Sequence, residues 1–411
     1  MNDLAPSLEK YAQLVIQSGC KLQPGQELFI ASSTDTCEFA RVLTAEAYRQ
    51  GARKVTVMFG DEQISRLHFE NCSLEVFESF PEWQALLKNS MAANGAAILS
   101  IISEDPLAMV GIDQNKFVAH SRASYAACKP FQDAISGGRL AWCIVGAAAP
   151  KWASYVFSDL PVDEAMSKLW QAIFKAVRVD TADPVAAWAA HSKSFDERKA
   201  WLNAQSFDRL HYKNELGTNL IVGLNAKGLW QGGGDVTVEG TPFFPNMPTE
   251  EIFTTPDRLR AEGVVYSSMP LVHFGSPVED FSITFKDGKA VDCSARVGQE
   301  VLEATLSIDE GAGRLGECAL VPWSSPIRQS GILFYNTLYD ENAASHLALG
   351  KGFADCFEGG EQLSEDELEA LGVNKSATHV DFMIGTADMS ITGITADGRE
   401  LPIFESGNWA F

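Results

Sequence analysis

The run His379-Val380-Asp381-Phe382-Met383-Ile384-Gly385 constrains this chain more than any other stretch. It reads as a buried strand closed by a glycine. Successive strand side chains point to opposite faces, so His379 and Asp381 share one face while Val380, Phe382 and Ile384 fill the other. An imidazole and a carboxylate so placed can both reach one cation, with apolar residues holding them from behind. An isolated His-x-Asp equally fits a core histidine beside a surface aspartate. Further residues in ordered contexts tip the reading: Glu250, Glu251, Glu317, Glu341 and His346.

Glu250 and Glu251 lie between Pro245, Pro248 and Pro256, which fix the backbone. Two adjacent carboxylates repel unless a cation or water separates them; a capping box or a solvated turn is the plainer alternative. Glu317, between Gly316 and the apolar run that begins at Cys318, is awkward if it points inward unpaired. Residues 341–349 predict a helix that Gly350 ends. Glu341 and His346 are then roughly 140° apart around it, so Glu341 acts from the helix start. No cysteine belongs to the set. Mixed nitrogen and oxygen donors suit Zn, Co, Mn or Mg. The surplus of carboxylates suggests two ions, which together can polarise a carbonyl and generate a hydroxide.

A chain of 411 residues predicts two domains. Its 54 acidic and 32 basic residues leave a net charge of −22, which argues against nucleic acid and anionic membranes as partners. The eight cysteines are scattered with no CxxC pair, as in reduced thiols of a cytoplasmic protein. Met1-Asn2-Asp3-Leu4-Ala5-Pro6 lacks the basic and apolar regions of a signal peptide. No apolar run is long enough to predict a transmembrane helix.

Along the chain, a strand at 27–31, a helix capped by Ser32-Ser33-Thr34-Asp35, Gly51 and a strand at 54–60 make a βαβ unit. Further strands are predicted at 96–102 and 140–146. Neither GxGxxG after the first strand nor GxxxxGK[ST] occurs, so nucleotide binding has no support. Helices are predicted over 162–178 and 183–203, with a break at Ser192-Lys193-Ser194-Phe195-Asp196. Residues 1–195 are therefore expected to form an α/β domain with an open, mainly parallel sheet. Residues 196–411 are expected to form an α+β metal-binding domain. Within the latter, Trp230-Gln231-Gly232-Gly233-Gly234 is a flexible turn or a place where the backbone approaches something closely.

Residues 248–254, Gly316-Glu317, 344–350 and 379–385 resemble the M29 family of metallo-aminopeptidases, the aminopeptidase T and S group, in order, spacing and residue type. The resemblance implies Glu251, Glu317, Glu341, His346, His379 and Asp381 as ligands of two divalent ions. It also implies a homodimer that removes N-terminal residues from peptides with a free amino terminus. One departure stands out. Where the family usually carries a tyrosine, this chain has Phe353, which cannot donate a hydrogen bond to an oxyanion. Tyr339 or Tyr335 could substitute, or activity could be weak or redirected. Glu250, beside Glu251, is the expected general base because a carboxylate that is not a ligand must take the water's proton. The competing readings are a mononuclear iron ring-cleaving dioxygenase on the same scaffold and a catalytically weakened member.

Overall fold

The computed structural model describes residues 4–273 and 276–411; Met1 to Asp3, part of the amino-terminal stretch read above, lie outside them. The chain forms two compact units. One comprises residues 1–192 and 234–248, the other 193–233 and 249–411.

In the first unit, strands Glu27–Ser33, Lys54–Gly60, Ala97–Ile102 and Trp142–Gly146 alternate with helices. They form a parallel sheet in the order Lys54–Gly60, Glu27–Ser33, Ala97–Ile102, Trp142–Gly146, Asn246–Met247. Helix Cys37–Arg49 makes the first crossover, and Gly51 at φ +94° turns the chain into the next strand. Leu28, Ile30, Leu99 and Val145 are fully buried. Continuous apolar strands of this kind are what a parallel sheet covered on both faces requires.

The fifth strand is an excursion of the chain from the other half of the sequence. A single cut at 195/196, as read from the sequence, contains no such return. Asn246–Met247 is only two residues long and has no periodicity to read. The break expected at 192–196 is also absent. Pro184–Gln205 is one helix, with Trp188, Phe195 and Leu202 buried at seven-residue spacing. Burial on one stripe outweighs the weak propensity of two serines.

The second unit contains two antiparallel sheets. The larger contains the hairpin Phe207–Lys213 and Asn219–Leu224 and continues through Pro256–Tyr266, Ser276–Lys286 and Ser390–Thr395, among others. The smaller runs in the order His379–Met383, His346–Gly350, Leu315–Leu320, Ile252–Thr254, Gln231–Gly232. One face of the smaller sheet supplies Ile252, Cys318, Leu320, Leu347, Leu349, Val380 and Phe382 to a core shared with Leu210, Tyr212, Val222 and Ile283 of the larger. Phe382 meets Phe281 at 5.8 Å between ring centroids. Val380 and Phe382 thus fill the face opposite His379 and Asp381, as alternation requires.

The helix expected over 341–349 does not form. Thr337–Asp340 is a single helical turn, Glu341–Ala343 is a 3₁₀ turn, and His346–Gly350 is a strand. Alanine and leucine favour helix intrinsically. Here pairing on both edges and burial of Leu347 and Leu349 decide the outcome. Among the described residues, no helix is long and apolar enough to cross a membrane.

Candidate metal centre

Three adjacent strands build the floor of the site. The register aligns Glu317 with Ala348 and Ala348 with Asp381. It also aligns Ala319 with His346, and Gly350 with His379. Strand alternation turns Glu317, His346, His379 and Asp381 to the face away from the core. In register, the small residues Ala319, Ala348 and Gly350 alternate with them. Glu251 enters from the next strand edge. Its backbone is approached so closely there that a Cβ on Gly232, at φ +130°, would lie 2.4 Å from the Glu251 carbonyl oxygen. The glycine-rich loop is therefore a close approach, one of its two readings from sequence.

Ligand-type atoms converge in two triads, Glu251 with Glu317 and His346, and Glu317 with His379 and Asp381. Glu317 belongs to both. His346 Nε2 lies 3.4 Å from Glu251 Oε2. His379 Nε2 lies 3.2 Å from Glu317 Oε2 and 3.2 Å from Asp381 Oδ1. The other nitrogen of each ring faces a backbone carbonyl: His346 Nδ1 meets Ala344 O at 3.1 Å, and His379 Nδ1 meets Lys351 O at 2.8 Å. A carbonyl oxygen only accepts, so each Nδ1 carries a hydrogen and each ring turns its Nε2 toward the acids. This is the arrangement of a metal-ligating histidine.

The electrostatics describe a seat for positive charge. Burial, with the charges of Glu317 and Asp381 added, pushes the Glu251 carboxyl up to about 7 against the pull of His346. Burial likewise pushes Glu317 up to about 7, although His379 hydrogen-bonds to it. Glu341 is pushed well up by burial and by the charges of Glu251, Asp381 and Glu317. It opens the 3₁₀ turn and stands outside both triads, but within reach of their charge. Burial opposes the charged form of His379, yet Asp381 and Glu317 raise it to about 11. Burial opposes ionisation of Asp381 as well, but His379 and His346 hold it below its ordinary value. Without a cation, Glu251, Glu317, Glu341 and His379 therefore favour their protonated forms, and a divalent ion would displace those protons. Oxygen and imidazole donors with no thiolate fit Zn, Co, Mn or Mg.

Glu250 is 6% exposed, and its N–H donates to Asn342 Oδ1 at 2.6 Å. Its charge acts on Arg198, whose guanidinium lies 5.0 Å from the Trp409 ring centroid. Phe353 sits with its ring 4.8 Å from that of His379 and 5.4 Å from that of Phe253. That position is an apolar wall against a ligand-type histidine. Tyr339 is fully buried and stacked on Phe334, while Tyr335 is partly exposed at φ +53°. Two polar residues went unread in the sequence. Asn342, fully buried, joins the Glu341 turn to the Glu250 backbone and donates to Leu338 O. Asp355, two residues beyond Phe353, adds negative charge that raises Glu317. Neither carries a spacing signal; only its place in the fold marks it.

This cluster of acids and histidines on a β-sheet is a candidate metal centre, and the chain belongs to the M29 family, described as thermophilic metalloprotease, whose sequence model matches residues 4–409. It is accordingly a metal-dependent peptide hydrolase. It is 44% identical over 411 residues to aminopeptidase AmpS of Bacillus subtilis (strain 168), with the whole of both chains covered. The solved structure of wild-type AmpT from Thermus thermophilus superposes with a TM-score of 0.92 at 41% identity, covering 99% of this chain and 100% of that one. The 2,5-dihydroxypyridine dioxygenase of Pseudomonas putida KT2440 covers 99% of this chain and 97% of its own, with a TM-score of 0.52 and 10% identity. That likeness concerns the fold alone.

Proposed function

We propose that this metallo-aminopeptidase cleaves the first peptide bond of peptides with a free amino terminus, with two divalent cations held by Glu251, Glu317, Glu341, His346, His379 and Asp381. The observation that carries the proposal is the sharing of Glu317 between two triads. A carboxylate has two oxygens, so one side chain can serve two positions at once. Two cations so held would supply Lewis acidity toward the scissile carbonyl and would lower the pKa of the attacking water.

The chain's own residues do the rest. Backbone carbonyls fix both imidazoles with Nε2 toward the acids. Glu250, which belongs to neither triad, is the proposed acceptor of the water's proton and its donor to the leaving amine. Phe353 and Phe253 form an apolar wall beside His379, suited to an apolar substrate side chain. Without a hydroxyl at 353, the developing oxyanion receives no hydrogen bond from that position. The homodimer implied by the family resemblance and the cytoplasmic setting expected from the scattered cysteines belong to the same proposal. The iron-dependent ring-cleaving alternative is not favoured, since its one support is a similarity of fold.

The test uses metal-stripped protein resupplied separately with Zn, Co, Mn and Mg, and aminoacyl chromogenic substrates. Metal-dependent release from free-amine substrates, and none when the amine is blocked, is the expected result. Equal release from blocked substrates would refute an aminopeptidase. In the same assay Glu250→Gln should retain metal and lose turnover by about 100-fold or more. Near-normal turnover would remove Glu250 from the role.

A further inference from the structure

Asn374 stands outside every sequence signal, yet it makes a costly arrangement. It is 1% exposed, and its Oδ1 is buried with no hydrogen-bond partner. An orphaned buried acceptor forfeits the full desolvation penalty of that group. Flipping the amide gives no relief, because Nδ2 already donates to Gly350 O at 2.6 Å and to Gly311 O at 2.8 Å. A flipped oxygen would face two carbonyl oxygens. The orientation is therefore fixed by what the donor side holds.

What it holds is the peptide around Lys351. The Asn374 side chain takes the Gly350 carbonyl, and the Asn374 backbone carbonyl accepts from Gly352 N at 2.9 Å. Both peptide groups flanking Lys351 are thus tied to one residue. Lys351 N donates to Thr378 O at 2.7 Å, which leaves the Lys351 carbonyl aimed at His379 Nδ1. The Lys351 side chain is exposed, so the carbonyl is the part that matters. The surroundings admit little movement. A Cβ on Gly316 would lie 2.3 Å from Lys351 O, and one on Gly350 would lie 2.2 Å from Thr378 O.

We propose that Asn374 is a positioning residue for the proposed metal centre, setting His379 through the Gly350–Lys351–Gly352 segment that it clamps. The inference rests on the two-cation reading above. Its effect is local: the triad of Glu317, His379 and Asp381 depends on it, and the triad containing His346 does not. Partners that orient a ligating histidine are worth about 10- to 100-fold in metal affinity.

The experiment is calorimetric titration of metal-stripped protein with Co(II), for wild type, Asn374→Ala, Gly352→Ala and Asp309→Asn. Gly352→Ala presses the same segment from the other side, since its Cβ would meet the Thr255 side chain at 2.8 Å, and it leaves the Asn374 amide untouched. It also stands in should Asn374→Ala fail to fold. Asp309→Asn is the structural control; its carboxylate ties Gly311, Ala312, Ser376 and Ala377, which border the clamp, and forms none of the hydrogen bonds given above for Asn374 or residues 350–352. Wild type should show two binding events. Asn374→Ala and Gly352→Ala should each weaken one event at least tenfold and leave the other within twofold, while Asp309→Asn changes neither. Two unaltered events in folded Asn374→Ala or Gly352→Ala would overturn the inference and leave the two-cation reading standing. The same selective loss in Asp309→Asn would reduce Asn374 to ordinary structural support. Fewer than two events in wild type would overturn the two-cation reading and this inference with it.

Discussion

Glu317 is the residue on which the proposed centre turns. It is 4% exposed, held at 3.2 Å from His379 Nε2, and common to both triads. Removing it takes a donor from both positions, whereas removing Asp381 takes one from a single position. Glu317→Gln is therefore expected to weaken both cation-binding events by more than about tenfold, and Asp381→Asn only one of them. Titration with Co(II) reads both; a Glu317→Gln protein with one event intact would deny the shared role. At this scale the sequence was informative about ligand types. His379 and Asp381 two apart on a strand, and acids next to glycine and proline, are local patterns. Asn342, Asn374 and the Lys351 carbonyl were not legible. Each acts through a backbone hydrogen bond across the fold, and no spacing rule encodes such a partner.

At the scale of elements, the small sheet does two jobs with its two faces. Leu347, Leu349, Val380 and Phe382 anchor one face in the core, and the acids and histidines occupy the other. Ala348 sits between Glu317 and Asp381 in register and is fully buried. A larger side chain there would project into the space between the two carboxylates. Ala348→Leu is expected to lower Co(II) affinity by about tenfold or more, with an overpacking cost of about 1–3 kcal/mol to stability. Titration together with chemical denaturation separates the two; unchanged affinity would show that the floor is not close-packed against the site. The parallel strands of the first unit could be read from apolar runs and from Gly51 between the first helix and the second strand. The strand His346–Gly350 could not, because its Ala-Leu composition matches a helix and only its two neighbours make it a strand.

For the whole molecule, the cluster couples stability to pH and to metal. In the ion-free protein Glu251 and Glu317 stand at about 7, above their ordinary 4.5, and His379 at about 11, above its ordinary 6.5. Groups raised on folding bind more protons in the folded than in the unfolded state. Their contribution is present at low pH and is lost as pH rises through the folded values. The metal-stripped protein is thus expected to melt at a lower temperature at pH 8 than at pH 5.5. With saturating Zn or Co the order should reverse, because the ion replaces the protons and stabilises by mass action. Thermal melts with chelator and with metal at the two pH values check this; a stripped protein more stable at pH 8 would contradict the charge balance assigned to the cluster.

The most direct test of the central claim is activity against metal equivalents. Stripped protein is titrated with Co(II) while release from a free-amine aminoacyl substrate is followed on the same samples. Two cations acting together predict little activity up to one equivalent per chain when the tighter position fills first, and a maximum at two. Full activity at one equivalent, or activity that survives complete stripping, would contradict a shared-carboxylate pair as the working centre.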